Sequence, residues 1–372
     1  MNIKVIRSRW LVMGIIALGL SFNSFSWLEG QNQPTGDPDK EISFLKRQFE
    51  SLDHRLDMLE KQIDDILWYN KMGDVAFIDK VRHYGPPLAK VENPTAMGAK
   101  NPVKFYSYIF IPKKIDYSRE YPLLVFPHGG VHANFTTYFA HIIRELIGQG
   151  YVIIATDYRG STGYGQDLYE AIDYGGLELE DVHAARAYML ENYDFLDKDR
   201  VGIMGWSHGG LIALMNIFNH PDDYRVAYAG VPVSDLVARM GYSTQGYRDL
   251  YSAPYHLGKT ANEDIAEYRR RSPAWNAEKL KTPLLIYTNT ADDDVNVLEV
   301  EHLIKSLQAF GKKFEYKIFQ EAPGGHSFDR LDTLMAKEIR LDVYRFLARY
   351  LDPQYPFKSV KDLMRAGYPG AH

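Results

Sequence analysis

Ser207 is the residue in this chain most clearly placed to do chemistry. It stands in VGIMGWSHGG (201–210), where a short apolar run leads into Gly-x-Ser-x-Gly and then into an apolar helical run, LIALMNIF. A serine on a sharp turn between strand and helix projects its hydroxyl to where a base and a substrate can reach it. Gly205 and Gly209 leave room for the turn and for the helix crossing. The helix N-terminus behind Ser207 offers unpaired N–H groups to a developing oxyanion. The pattern predicts a nucleophile; without chemistry it is a glycine-rich strand–helix turn.

A serine hydroxyl needs a base, and the base needs an orienting acid. With this turn the chain order is Ser, then Asp or Glu, then His. His326 is the best-placed base, in the Gly-rich loop EAPGGHSF that follows the last expected strand. His302 falls within an expected helix, and His220 follows the helix behind Ser207. The acid is sought after the preceding strand, where PLLIYTN runs into TADDDVNV and offers Asp292, Asp293 and Asp294. That run imitates the start of a calcium loop, but Val297 holds the position that requires Gly and Leu303 the one that requires Glu.

A second loop carries donors. HGGVH (128–132) follows the apolar run PLLVFP, and its glycines let backbone N–H groups turn toward a bound carbonyl. His128 and His132 lie on this loop without a third obvious ligand, so no metal site is read there. No metal and no cofactor is expected.

These loops need a frame. Apolar runs at 104–112, 122–127, 151–158, 200–205, 225–230, 283–289 and 314–320 read as strands. Helical patterns, among them 177–193, 297–310 and 329–350, alternate with them. That alternation predicts an α/β architecture, with a mainly parallel central sheet flanked by helices. Residues 234–280 break the pattern and are rich in tyrosine; they read either as a cap over the strand ends or as a surface insertion whose tyrosines pack on themselves. The substrate pocket is expected at Trp206, Tyr242 and Tyr247.

Six segments in order give the chain a family resemblance. HGG at 128–130, DYRGSTGYG at 157–165, GWSHGG at 205–210, RSPAWNAEKLKTPLL at 271–285, DDDV at 292–295 and GGHSF at 324–328 resemble the catalytic domain of the prolyl oligopeptidase family of serine hydrolases. The resemblance runs from about Val103 to Leu351 and implies an α/β-hydrolase fold, with Ser207 as nucleophile and His326 as base. The family pattern Asp-x-x-Val, aligned on Val295, selects Asp292 as the acid. It maps the oxyanion donors to the backbone N–H groups of Gly130 and His208. Where the family usually has His-Gly shortly before the acid, this chain reads YTNTAD. Residues 27–102 are too few for the β-propeller that many family peptidases carry. The implied activity is hydrolysis of short peptides; a carboxylesterase shares the machinery, and a catalytically inactive coiled-coil scaffold is the non-enzymatic alternative.

The N-terminus reads as a separate object. Lys4, Arg7 and Arg9 precede the apolar stretch Trp10–Leu20, and small residues allow cleavage after Ser26. This predicts a signal peptide and an exported, periplasmic or secreted protein, anchored to a membrane only if the segment is not cleaved. The domain reading is signal peptide 1–26, linker 27–40, coiled-coil helix 41–70, connecting segment 71–102, catalytic domain 103–352 and C-terminal tail 353–372. In the helix, Ile42, Leu45, Phe49, Leu52, Leu56, Leu59, Ile63 and Ile66 fill every a and d position of a heptad. That stripe must be covered, either by a second copy in a homo-oligomer through 42–66 or by the catalytic domain. The net charge of −5, from 43 basic and 48 acidic residues, gives no electrostatic case for nucleic acid. The chain has no cysteine, which excludes disulfides and thiolate catalysis.

Overall fold

The computed structural model describes residues 38–91 and 93–367. The expected signal peptide and residues 27–37 of the linker lie outside the described residues. Packing divides the chain into two units, Met1–Leu52 and Asp53–His372. In the first, the residues from Pro38 onward are helical. The helix, α1, runs Pro38–Met72 and so exceeds the expected 41–70.

Within the second unit, α1 buries Lys61, Trp68 and Met72. Trp68 stacks on Phe135, with ring centroids 5.5 Å apart, and packs on Phe110 at 4.9 Å. Leu56, Leu59, Ile63 and Ile66 stay exposed on the other side of the helix. In this unit the domain therefore covers the face opposite the heptad stripe.

The next strand corrects the sequence reading. Residues 71–102 are not merely a connection, because β1 (Ala76–Pro87) pairs antiparallel along β2 (Pro102–Pro112). β1 is the end strand, where only Ala76, His83 and Gly85 are buried, so its alternation is faint in sequence. There follow β3 (Tyr121–Pro127), α2 (Ala140–Gln149), β4 (Val152–Asp157), α3 (Gln166–Tyr169) and α4 (Leu177–Asn192). Next come β5 (Leu196–Trp206), α5 (His208–Asn219) and β6 (Val226–Gly230). The interval between β6 and the next strand folds as α6 (Leu236–Tyr242), α7 (Gln245–Ser252) and α8 (Ile265–Arg270). The chain then adds β7 (Leu284–Asn289), α9 (Val297–Ala309), β8 (Glu315–Phe319) and α10 (Leu334–Leu351). The expected tail holds one more helix, α11 (Val360–Ala366), which buries Leu363.

The eight strands lie in the order β1-β2-β4-β3-β5-β6-β7-β8. β2 pairs antiparallel with β4, and every pair from β4 through β8 is parallel. This is an α/β-hydrolase sheet. Alternate strand residues feed the two faces: Leu123 and Val125 join Leu179, Leu211 and Val300, while Leu124 and Phe126 join Trp68, Ile142 and Phe346. Fully buried strands of this kind read as continuous apolar runs.

Candidate active site

The turn between β5 and α5 is a single residue, Ser207, with φ 59° and ψ −124°. A non-glycine residue there is strained and persists only where its surroundings fix it. They do so here. Ser207 N–H donates to the Gly230 carbonyl at 3.0 Å, and its own carbonyl accepts from Val233 N–H at 3.1 Å. A Cβ on Gly205 would sit 2.3 Å from the Gly209 carbonyl oxygen, which explains the glycine pair around the serine.

His326 lies in the single-turn helix Gly325–Ser327, beyond β8. Its Nδ1 is 2.9 and 2.8 Å from the two Asp292 carboxylate oxygens. A carboxylate accepts, so Nδ1 carries the hydrogen and Nε2 is left free to take a proton. The Asp292 side chain is buried, and Oδ1 also accepts from the N–H groups of Asp294 and Val295, at 2.9 and 2.8 Å. The three aspartates are thus separated by geometry. Asp293 meets only the His326 N–H, at 3.4 Å. Asp294 pairs with Arg239 at 2.9 Å and lies 3.6 Å from His326 Nε2. No hydrogen bond joins His326 to Ser207 Oγ; such contacts often tighten only around substrate.

Asn289, in the segment YTNTAD, ties the acid and base loops together. Its amide donates to the carbonyls of Ala322 and Gly325 at 2.9 and 3.1 Å, and its oxygen accepts from Ala322 N–H at 3.0 Å. Its role was hidden in sequence, since an asparagine at a strand end also suits an ordinary turn.

Gly130, His208 and Ser207 line one cavity of 350 Å³, together with Val131, His132, Tyr169, Tyr174, Val233, Arg239, Tyr247, Leu250 and Asp294. Gly130 has φ 86°, a backbone conformation that favours glycine. A larger hollow of 710 Å³, at Arg119, Tyr121, Arg200 and Tyr355, contains none of these groups.

Two pocket expectations need correcting. Trp206 is buried in the core, with Nε1 donating to Asp329 Oδ2 at 2.7 Å. It is a strand residue whose side chain joins the sheet face away from the cavity. Tyr242 does not line the cavity; its hydroxyl donates to Glu299 and accepts from Arg239 NH1 at 2.9 Å. Tyr247 does line it.

Arg239 was not foreseen. Its guanidinium donates to Glu299 at 3.0 Å and to the Tyr247 hydroxyl at 2.9 Å. Burial raises the Glu299 carboxyl above the usual range despite Arg239. Glu299 accepts from the N–H groups of Ser234 and Asp235, both at 3.1 Å, and so fixes the loop after β6.

The oxyanion loop has its own support. His128 Nδ1 is 2.9 Å from the Gly129 carbonyl and therefore carries the hydrogen; Nε2 accepts from Ser161 Oγ at 2.9 Å. Burial pushes the imidazole down to about 4, against the opposing charge of Asp157. His132 stacks on Tyr169 at 3.6 Å and bonds the Gly160 carbonyl.

Comparison with known proteins bears on the family and the fold. Residues 137–354 match the prolyl oligopeptidase family, Peptidase_S9. Dipeptidyl peptidase 8 of Homo sapiens is 30% identical over 229 residues, covering 58% of this chain and 24% of that protein. The acylamino-acid-releasing enzyme of Arabidopsis thaliana is 26% identical, covering 72% of this chain and 36% of the relative. The chain thus spans about a quarter to a third of the length of these relatives. Among solved structures, Pyrococcus horikoshii acylaminoacyl peptidase superposes with a TM-score of 0.61 at 20% identity, over 78% of this chain and 44% of that one. A puromycin hydrolase gives 0.59 at 21% identity, over 74% and 40%.

Proposed function

The chain belongs to the prolyl oligopeptidase family, and on that premise we propose that it is an exported serine peptidase that cleaves short peptides through Ser207, His326 and Asp292. The observation that carries this reading is the strained Ser207 turn opening on the same cavity as Gly130 and His208. The grip of Asp292 on His326 Nδ1 supports it.

Ser207 Oγ attacks the scissile carbonyl while His326 Nε2 takes its proton. Backbone N–H groups of Gly130 and His208 receive the oxyanion. Collapse returns the proton from His326 to the leaving amine and leaves an acyl-Ser207 ester. Water, deprotonated by His326, attacks that ester; collapse releases the acid and returns the proton from His326 to Ser207 Oγ. Tyr169, Tyr174, Tyr247 and Leu250 give the cavity an apolar, aromatic wall suited to an apolar substrate side chain.

A fluorophosphonate probe tests the nucleophile. Ser207 should be labelled in the native protein and not after heat denaturation; absence of labelling in folded protein would favour the inactive scaffold. Parallel assays with aminoacyl- or dipeptidyl-nitroanilides and with p-nitrophenyl acetate test the reaction class. A carboxylesterase would turn over only the ester. Export is tested by N-terminal mass spectrometry of the protein from the extracytoplasmic fraction, where a chain beginning at Trp27 is expected.

A further inference from the structure

Away from the candidate triad, two helices bring together a ligand set of a different kind. Glu180 and His183 lie three apart on α4 and so share one face of it. His220 caps the C-terminus of α5, which packs alongside: Asn216 of α5 donates to the Leu179 carbonyl of α4 at 3.2 Å. Ligand atoms of Glu180, His183 and His220 all lie within 4.8 Å of one another. The two imidazoles stack with centroids 3.8 Å apart and planes 5° from parallel. His220 Nε2 is 3.1 Å from Glu180 Oε1, and His183 Nε2 is 2.8 Å from Asp223 Oδ2. Arg186 holds the other Asp223 oxygen at 3.2 Å and the Asp223 carbonyl at 2.9 Å, which aims Oδ2 at the cluster. All four side chains are partly exposed, so a small ion can reach them.

The two imidazoles bring ring nitrogens beside the carboxylates of Glu180 and Asp223, and a side-chain turn that unstacks the rings would let both nitrogens converge on one ion. Two nitrogens and two carboxylate oxygens suit a borderline divalent cation of the zinc type.

We propose that Glu180, His183, His220 and Asp223 form a binding site for Zn2+ or a chemically similar divalent cation. The site clamps the C-terminal end of α5 to α4. Ser207 precedes the other end of α5, and twelve residues of α helix span about 18 Å. The metal is therefore structural and takes no part at Ser207.

The test uses untagged full-length protein stripped with a chelator and titrated with Zn2+ by calorimetry. One Zn2+ per chain and an upward shift in Tm are expected. His183→Gln and His220→Gln should each weaken binding by about tenfold or more, while Ser207→Ala binds as the wild type. Circular dichroism checks that each variant is folded. Co2+ should give the intense visible bands of a four-coordinate site. Equal Zn2+ affinity in wild type and in the doubly substituted protein, no shift in Tm, or a weak six-coordinate Co2+ spectrum would each overturn the proposal.

Discussion

Lys61 of α1 and Asp157 at the end of β4 form a fully buried ion pair, Nζ to Oδ2, at 2.8 Å. The lysine also donates to the Asn134 side chain at 2.9 Å and to the Phe135 carbonyl at 2.6 Å. Asp157 accepts from Phe135 N–H at 2.5 Å and from the Tyr164 hydroxyl, and lies 3.7 Å from His128 Nε2. Burial lowers the ammonium pKa, with Asp157 opposing; for Asp157 burial pulls upward, and Lys61, His128 and Tyr164 together more than offset it. The N-terminal helix is thus wired to the loop that carries Gly130.

Breaking this pair from one side should be severe. Lys61→Met leaves a buried carboxylate unpaired, and a loss of about 3–5 kcal/mol is expected. Lys61→Met combined with Asp157→Asn should recover much of that loss. Urea denaturation of the four proteins in a double-mutant cycle measures it, and simple additivity would contradict the coupling.

The three adjacent aspartates should separate in kinetics. Asp292→Asn is expected to lower kcat by several orders of magnitude, because Nδ1 loses the acceptor that sets its tautomer. Asp293→Asn should change kcat by less than about threefold, since it offers only one long contact. Ser207→Ala with His326→Ala should be little worse than either alone. A crippled Asp293→Asn enzyme would reassign the acid.

Arg239 should serve both stability and the pocket. Arg239→Met strands Glu299 and should cost about 3–5 kcal/mol while raising KM. Adding Glu299→Gln should restore thermal stability without restoring KM. Recovery of both together would mean that the arginine matters only for folding.

Stability should fall in mild acid. His128 and His132 are pushed down to about 4 and His256 to about 3, in each case by burial. Their folded pKa values lie below the unfolded value near 6.5, so the unfolded chain binds protons first. The contribution is complete above about pH 7 and is lost as pH falls toward 4; for His128 alone it amounts to about 3 kcal/mol. Tm measured at pH 7.5 and pH 5 should drop by several degrees, and a Tm that is flat or rises toward pH 5 would show that these imidazoles are not buried neutral.

Self-association through residues 42–66 is the proposed fate of the heptad stripe. Leu56, Leu59, Ile63 and Ile66 are about half exposed or more, while Lys61, Trp68 and Met72 face the domain. Leu59→Asp with Ile63→Asp should give a monomer by light scattering that still reacts with fluorophosphonate. A wild type already monomeric at micromolar concentration rules this interface out.

The central strands, the turn at Ser207 and the loop of His326 were legible because they rest on local signals: apolar runs, a Gly-flanked serine and a Gly-rich histidine loop. β1 was not, since an end strand keeps few buried residues. The docking face of α1 was missed because Lys61, Trp68 and Met72 make no apolar periodicity. Arg239, Glu299 and Asn289 act through partners distant in sequence, which no spacing announces.

The Lys61 anchor also implies an order of assembly. Lys61 and the Phe135 carbonyl are 74 positions apart, and Asp157 lies further on. During synthesis α1 emerges first, while its ammonium has only water for company. The cost of stripping that water is offset only when β4 and the Phe135 turn are in place. Seating of α1 is therefore a late step of folding and, read backwards, an early point of release. A protease that nicks the chain between α1 and β1 would free the latch and leave Asp157 facing an empty socket.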